Sequence, residues 1–247
     1  MKSVETTDNE NGGDDTINIH GGKNAVMGGA DGDKINVGDE GQDNGHENVV
    51  LGDGGSYVVN KDENLVTIQT SRDIDDDGNI VIHGGHDIID IQGGQNTVMG
   101  GAEDDEIDIY GADNIVLGDG GIATREWNDN QKIFEDIKSV ETTDDDNGGI
   151  DTINIYGGKN AVMGGFAGDI ITIGEEDGNA SDHNIVLGDG GEYNNEASDS
   201  AYIKTQSDGI GGEDHITVYG GHNVAMGGFA GDEIEIHFLC LIGLWLD

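Results

Sequence analysis

The sequence has few basic residues, a single cysteine and no long apolar run, and each shortage excludes a class of protein. Ten Lys and Arg stand against 52 Asp and Glu, which gives a formal net charge of −42. The chain therefore offers no basic patch to nucleic acid. One cysteine cannot build a disulfide-stapled scaffold. No apolar run reaches the roughly 18 residues of a transmembrane helix, so we expect no membrane span.

What the sequence does contain is glycine and acid in an ordered arrangement. Glycine makes up 45 of 247 residues, more than twice its usual share of about 7%. Apolar residues make up only 34%, and low hydrophobicity with high net charge normally indicates disorder. The internal repetition described next argues for a folded chain, provided that something neutralises the charge.

The chain consists of tandem copies of one module. Residues 2–57 reappear at residues 138–193, and two further copies begin near Gln69 and Thr205. The predicted modules are residues 1–68, 69–136, 137–203 and a truncated 204–236, followed by an atypical apolar tail at 237–247. Because the repeat pattern is interrupted at both ends of the sequence, we expect the chain to be cut from a longer array. The apolar tail either caps the last coil or results from a shifted reading frame.

A nine-residue step runs inside each module. Turn residues alternate between Asp and Asn at this spacing, and an apolar side chain such as Ile17 or Val26 stands two residues after each of them. Segments such as Asp15–Ile19 alternate apolar and polar residues, which is typical of a strand. Glycine pairs supply the turns between strands.

These periods predict an all-β fold, a right-handed parallel β-roll or β-helix solenoid of short strands and Gly/Asp-rich turns. Two nine-residue units return the chain to its starting side, so successive coils stack strand on strand with right-handed crossovers. The absence of proline agrees with strands that donate hydrogen bonds to neighbours on both sides.

The alternation places aspartates along one edge of the roll and asparagines such as Asn24, Asn96, Asn114 and Asn160 along the other. Stacked strands lie about 4.7–4.9 Å apart, so carboxylates one coil apart repel each other. A calcium ion takes six or more oxygens at about 2.3–2.6 Å and can contact oxygens from both coils. The aspartate edge is therefore predicted to bind several Ca²⁺ ions through Asp15, Asp33, Asp87, Asp105, Asp151, Asp169, Asp214 and Asp232.

Three further aspartates, in the GDGG turns, are the next candidate calcium ligands: Asp53, Asp119 and Asp189. The alternative interpretation of any one turn aspartate is an ordinary turn former that bonds its own backbone. Repetition at a fixed spacing in four copies favours calcium. For the asparagine edge, a ladder of amide hydrogen bonds is the preferred interpretation over a second row of ions.

At this point the sequence resembles the RTX, or hemolysin-type, calcium-binding repeat, G-G-x-G-x-D-x-U-x with U large and apolar. The resemblance implies that the sixth-position aspartates, Asp33, Asp105, Asp169 and Asp232, bind calcium together with turn carbonyls. It also implies export by type I secretion and folding in millimolar calcium outside the cell, hence a secreted or cell-surface location. The fourth position departs from the family glycine and holds Asp31, Glu103, Ala167 or Ala230. The matching segments are GGADGDKIN (Gly28–Asn36), GGAEDDEID (Gly100–Asp108), GGFAGDIIT (Gly164–Thr172) and GGFAGDEIE (Gly227–Glu235).

The less regular segments after the GDGG turns are Ser56–Ser71, Ile122–Thr143 and Glu192–Ser207. They are predicted to form hairpin-like insertions that leave the roll. Their aromatic residues, Tyr57, Trp127, Phe134 and Tyr193, either cover an open flank of the roll, which we favour, or form a partner site. The recurring methionines Met27, Met99, Met163 and Met226 indicate packing.

Function follows from these features as an expectation. The sequence contains no catalytic motif, so we expect no enzyme, and the first hypothesis is a structural calcium-binding roll of an adhesin or exoprotein whose partners are calcium and neighbouring repeats. The second is an accessory module of a secreted protease, lipase or polysaccharide epimerase whose catalytic domain lies elsewhere. A surface that binds ice or carbohydrate is disfavoured, because the outward residues do not form a uniform array.

Overall fold

The computed structural model is an all-β protein. It describes residues 3–6, 12–71, 73–74, 80–81, 83–131, 133–143, 148–175, 183–195, 201–205 and 211–237, and these ranges contain 24 strands and no helix. Accordingly, nothing in the described ranges is a helix that could cross a membrane. His237 ends the last strand, and the rest of the apolar tail, residues 238–247, lies outside the described residues.

The first sheet, sheet I, contains eight parallel strands. Each is four or five residues long, because Gly-rich turns bound it on both sides. In spatial order the strands are β2 (Thr16–Ile19), β4 (Lys34–Val37), β10 (Ile88–Ile91), β12 (Glu106–Ile109), β16 (Thr152–Ile155), β18 (Ile170–Ile173), β22 (His215–Tyr219) and β24 (Glu233–His237).

The second sheet, sheet II, contains seven parallel strands, and along the chain they alternate with those of sheet I. One strand of sheet I and the following strand of sheet II form a coil. The strands of sheet II are β3 (Ala25–Met27), β5 (Val49–Leu51), β11 (Thr97–Gly101), β13 (Ile115–Asp119), β17 (Ala161–Gly165), β19 (Ile185–Asp189) and β23 (Val224–Met226). The expectation of parallel sheets of short strands is confirmed.

A first apolar core fills the space between sheets I and II. Side chains on a strand point alternately to its two faces, so each strand of sheet I from β2 to β22 turns two Ile or Val residues inward, whereas Ile234 in the last strand, β24, is exposed. Ile35, Ile107 and Ile153 have no exposed surface, and the inward residues of all coils form one continuous cluster with Val50, Val98 and their equivalents in sheet II. These are the apolar positions that the nine-residue step identifies in the sequence.

The segments between modules form a third, antiparallel sheet, sheet III. Each segment folds as a hairpin, as the sequence predicts, but the hairpins do not leave the parallel sheets. They pair with one another edge to edge, because each outer strand finds a partner in the next hairpin. In spatial order the strands are β1 (Ser3–Glu5), β6 (Gly55–Asn60), β7 (Leu65–Thr70), β14 (Gly121–Asn128), β15 (Ile133–Thr142), β20 (Gly191–Asn194) and β21 (Tyr202–Thr205). A separate small hairpin joins β8 (Asp73–Ile74) and β9 (Ile80–Val81).

Sheet III covers the outer face of sheet II and creates a second apolar core. Met99, Leu117 and Met163 point away from the first core and are fully buried beneath sheet III. Tyr57, Trp127 and Tyr193 pack against this second core, as does the methionine pair Met27 and Met226. The expected covering role of these aromatics and the packing role of the methionines are confirmed; the side chain of Phe134 lies outside the described residues.

Candidate functional site

The eight predicted aspartates stand in one row, the aspartate ladder, at the edge where the chain passes from sheet II into sheet I. Each lies directly before a strand of sheet I, and the parallel register of those strands brings consecutive members together. The six inner members are almost completely buried, with exposures of 0–3%: Asp33, Asp87, Asp105, Asp151, Asp169 and Asp214. The two end members, Asp15 and Asp232, are more exposed.

A chain of hydrogen bonds joins the ladder. In each coil the backbone N–H of one aspartate donates to Oδ1 of the aspartate in the next coil, at N–O distances of 2.6–3.2 Å. The chain is unbroken from Asp15 to Asp232, including the junctions between modules. One oxygen of every carboxylate beyond Asp15 is therefore satisfied by the fold itself.

The second carboxylate oxygen has no such partner. In all six inner members, Oδ2 is buried and accepts no hydrogen bond. In each case Oδ2 borders a glycine at the end of a sheet II strand, and for all but Asp214 a backbone carbonyl oxygen of the next coil borders the same glycine. A Cβ atom on Gly164, for example, would overlap both Asp169 Oδ2 and the Gly188 carbonyl oxygen. Two oxygens thus converge on one space, and neither has a proton to offer the other when the carboxylate is ionised.

At the opposite edge, asparagine amides take the place of the aspartate carboxylates, and their oxygens have hydrogen-bond donors. The asparagine ladder lies directly before the strands of sheet II, and each Oδ1 beyond Asn24 accepts both the backbone N–H (2.8–3.1 Å) and the Nδ2–H (2.9–3.3 Å) of the preceding asparagine. In five members Nδ2 also donates to a glycine carbonyl three residues earlier, as from Asn114 to Gly111 at 3.0 Å. Within the described coils, no buried amide oxygen of this edge is orphaned.

Two members of the asparagine ladder escape the regular period. Asn114 follows its ladder neighbour Asn96 by 18 positions, whereas Asn48 follows Asn24, and Asn184 follows Asn160, by 24. The additional residues in each of these coils move the asparagine out of the period, but its hydrogen bonds to the next asparagine of the ladder are the same as those of the other members. The dipeptide Asn-Val or Asn-Ile that begins each following apolar run is the sequence signal that could have located them.

Burial raises the pKa of the ladder carboxyls. The pKa values of Asp87 and Asp214 rise to about 7 and that of Asp169 to about 10, chiefly because burial desolvates the charged form, while the N–H donor from the preceding aspartate acts in the opposite direction. The pKa values of Asp33, Asp105 and Asp151 are raised for the same leading reason. An orphaned buried oxygen and a raised pKa express the same fact: the ionised carboxylate lacks a positive partner.

The three GDGG aspartates, here called the seam aspartates, occupy a different environment. They stand where the chain leaves sheet II for sheet III, and they are also buried, with exposures of 0–3%. Asp119 accepts the N–H of Gly149 through Oδ1 at 3.1 Å and the N–H of Phe166 through Oδ2 at 2.5 Å. Asp189 accepts the N–H groups of Gly212 and Phe229 in the same way. Asp53 accepts the N–H of Ala102 through Oδ2 at 2.7 Å, while its Oδ1 is buried without a hydrogen bond.

The acidic side chains do not converge on single points by themselves. Across the described ranges, no group of three or more His, Cys, Asp or Glu side chains is arranged to hold a metal ion. A cation at the aspartate ladder would therefore need backbone carbonyl oxygens in addition to carboxylates. Glycine carbonyls of this kind lie near Oδ2 of Asp33, Asp87, Asp105, Asp151 and Asp169. This all-oxygen donor set suits hard cations such as Ca²⁺.

Comparisons with known proteins place the chain in no group. No protein-family model, no curated protein and no solved structure matches it.

Proposed function

We propose that the chain is a calcium-binding structural protein, in which sheets I and II are the two walls of a β-roll and the aspartate ladder holds Ca²⁺. The observation that carries the proposal is the row of six buried Oδ2 atoms without a partner. An isolated buried carboxylate is costly unless it is neutralised, and a ladder of them cannot be neutralised by the ten basic residues of the chain, whose described ion pairs lie elsewhere on the surface.

The two ladders together favour a cation over an ordinary turn role for the aspartates. Both rows occupy equivalent turns of the same coils, and both use Oδ1 to accept a backbone N–H. Only the asparagine has an NH₂ group for the adjacent carbonyl. In the aspartate row, a proton or a metal ion has to take the place of that NH₂ group. Calcium fits better than magnesium, because Ca²⁺ accepts carboxylate and carbonyl oxygens in flexible geometry, whereas Mg²⁺ retains its water and requires a tight octahedron.

The role of the ions is structural. Binding energy gained at the ladder becomes folding energy, since the unfolded chain has no preformed site. Without the ions, repulsion among the carboxylates opposes the compact state. A chain of this kind is suited to fold in the calcium-rich medium outside the cell, as part of an exported adhesin or exoprotein. If it instead serves a secreted enzyme as an accessory module, the catalytic domain is encoded elsewhere in the same gene.

Counting bound ions tests the proposal. Equilibrium dialysis in millimolar calcium should show several ions per chain, and Asp169→Asn should lower that number. The matched control is Glu106→Gln, which removes one negative charge from an exposed side chain on the outer face of sheet I and leaves every ladder carboxylate in place, so it should bind as many ions as the parent chain. Absence of bound calcium in the parent chain, or equal counts in the two variants, would contradict the proposal.

A further inference from the structure

The seam aspartates mark the points where the chain departs from the parallel sheets. After Asp53, Asp119 and Asp189 the chain builds hairpins of sheet III, and it returns at the Gly-Gly turns that begin with Gly84, Gly148 and Gly211. The detours differ in length: the hydrogen bond from the return turn to the aspartate spans 30 positions of the chain at Asp119 but only 23 at Asp189. Nevertheless, each return turn arrives beside the carboxylate from which its detour began.

Two of these carboxylates contact both the return turn and the coil after it. Asp119 accepts the N–H of Gly149 at the return point and that of Phe166, which belongs to the following turn at this edge. Asp189 repeats the pattern with Gly212 and Phe229. One side chain therefore ties together three points of the chain that are remote in sequence.

Glycines form the cradle around each carboxylate. A Cβ atom on either Gly148 or Gly165 would overlap Asp119 Oδ2, and Gly211 and Gly228 would collide with Asp189 in the same way. The return turns thus need glycine because a buried carboxylate fills the place of their side chains.

Hydrogen bonding separates these two aspartates from the ladder. For Asp119 and Asp189 both oxygens accept backbone N–H groups, whereas every inner ladder aspartate keeps one oxygen without a donor. At Asp53 the N–H of Gly85 in the return turn is near enough to lower the carboxyl pKa, but it does not reach hydrogen-bonding geometry, and Oδ1 stays buried without a hydrogen bond. Of the three seam aspartates, only Asp119 and Asp189 thus have both oxygens hydrogen-bonded, and Asp53 stays a candidate calcium ligand.

We propose that Asp119 and Asp189 are clasps, not calcium ligands: each fixes the point at which the chain rejoins the stacked coils, whatever the length of the inserted segment. Both oxygens of each carboxylate accept N–H groups from two turns, so neither oxygen is left without a hydrogen bond for an ion to satisfy. Because of the clasp, the register of the parallel strands does not depend on the length of the hairpin inserted between them. This inference assigns the two residues a role other than the one expected from the sequence, and it does not depend on calcium binding at the ladder.

Amide hydrogen exchange in saturating calcium tests the clasp directly. In Asp119→Asn the exchange of the Gly149 and Phe166 amides should accelerate by about tenfold or more, because one of these N–H groups then faces an NH₂ group and the other donates to an uncharged oxygen. The number of bound calcium ions should stay at the parent value. Asp169→Asn is the matched ladder variant, and it should leave these two amides protected. Unchanged exchange in Asp119→Asn, or a fall in its calcium count equal to that of Asp169→Asn, would overturn the clasp.

A second pair of variants tests the same clasp by changing a glycine that contacts the carboxylate instead of the carboxylate itself. Gly148→Ala places a methyl group against Asp119 and should accelerate exchange at Gly149 and Phe166, whereas Gly231→Ala, with no atom within 4 Å of the new Cβ, should not. If Asp119→Asn does not fold, amide exchange at Gly212 and Phe229 in Asp189→Asn provides the same test in the last coils. Amide exchange and the number of bound ions are measured separately, so the exchange result can be interpreted even if the calcium proposal fails. Unaltered exchange at Gly149 and Phe166 in Gly148→Ala would argue against the clasp.

Discussion

Asparagine carries an NH₂ group where aspartate carries a second oxygen. In this fold that group decides whether all polar side-chain atoms of a buried turn have hydrogen-bond partners. At the asparagine edge, Nδ2 donates to the neighbouring amide oxygen and to a glycine carbonyl. At the aspartate edge, the corresponding oxygen faces a carbonyl with no proton between them. The sequence alone located the aspartate row and, except for Asn48 and Asn184, the asparagine row. It could not show that the aspartates are buried, because burial results from the stacking of coils and not from the composition of any one turn.

Replacement of one ladder aspartate by asparagine should relieve its need for calcium. In Asp169→Asn the new NH₂ group stands beside the Gly188 carbonyl oxygen, as Asn160 Nδ2 stands beside that of Gly157. We expect the calcium concentration at which half of the chains are folded to decrease, since one costly carboxylate no longer has to be neutralised. A calcium titration followed by circular dichroism measures this midpoint, and a midpoint that rises or stays unchanged would count against the ladder interpretation.

A second residue-scale prediction concerns the positions at which the repeat departs from glycine. Ala167 adopts a left-handed conformation with φ = 70°, which costs an alanine about 1–2 kcal/mol. Ala167→Gly should raise the free energy of unfolding by about 0.5–1 kcal/mol, after allowance for the greater freedom of glycine in the unfolded chain. The control Ala161→Gly, in strand β17, should lower it. Urea denaturation in saturating calcium provides the comparison, and destabilisation by Ala167→Gly would contradict the conformational argument.

Among the structural elements, sheet III is the least expected from the sequence. Alternating runs such as Leu65–Gln69 identified its strands, but the sequence of one hairpin predicts only the pairing of its own two strands. That the hairpins join edge to edge follows from contacts between segments that are remote in sequence, for example β7 with β14. Their common position on sheet II follows from the apolar outer face of that sheet, where Met99 and Leu117 alternate with the inward Val98 and Val116.

The packing of sheet III on sheet II can be tested by one truncation. Ile68 in β7 is fully buried in the second core, whereas Val58 in the neighbouring strand β6 is 42% exposed on the outer face. Ile68→Ala should lower the free energy of unfolding by about 2–5 kcal/mol, and Val58→Ala should change it by less than about 0.5 kcal/mol. Both are measured by denaturant unfolding in saturating calcium. Equal effects of the two truncations would mean that the hairpins of sheet III do not pack on sheet II.

For the molecule as a whole, proton binding should partly replace calcium binding. Folding raises the pKa of Asp87 to about 7 and that of Asp169 to about 10, whereas an unfolded aspartate titrates near 3.9. Between pH 4 and 7 the folded chain therefore holds more protons than the unfolded chain, and its stability falls as the pH rises. Each extra proton contributes a slope of about 1.4 kcal/mol per pH unit.

In excess EDTA, we thus expect the chain to be more stable to urea at pH 5 than at pH 8. The increment that calcium adds should be larger at pH 8, because ligands must be deprotonated to bind the metal. Asp169→Asn provides the control, since it removes one titrating group and should make the dependence shallower. Stability that increases with pH in EDTA would be incompatible with buried, protonated ladder carboxyls.

The most direct test of the central claim, that cations at the aspartate ladder hold the stacked coils together, is circular dichroism of the chain at pH 7.5 during a calcium titration. In excess chelator the strand signal should be weak, and it should develop cooperatively as free calcium rises, while equal concentrations of magnesium have little effect. A strand signal that is already complete in chelator, and that calcium leaves unchanged, would contradict the account.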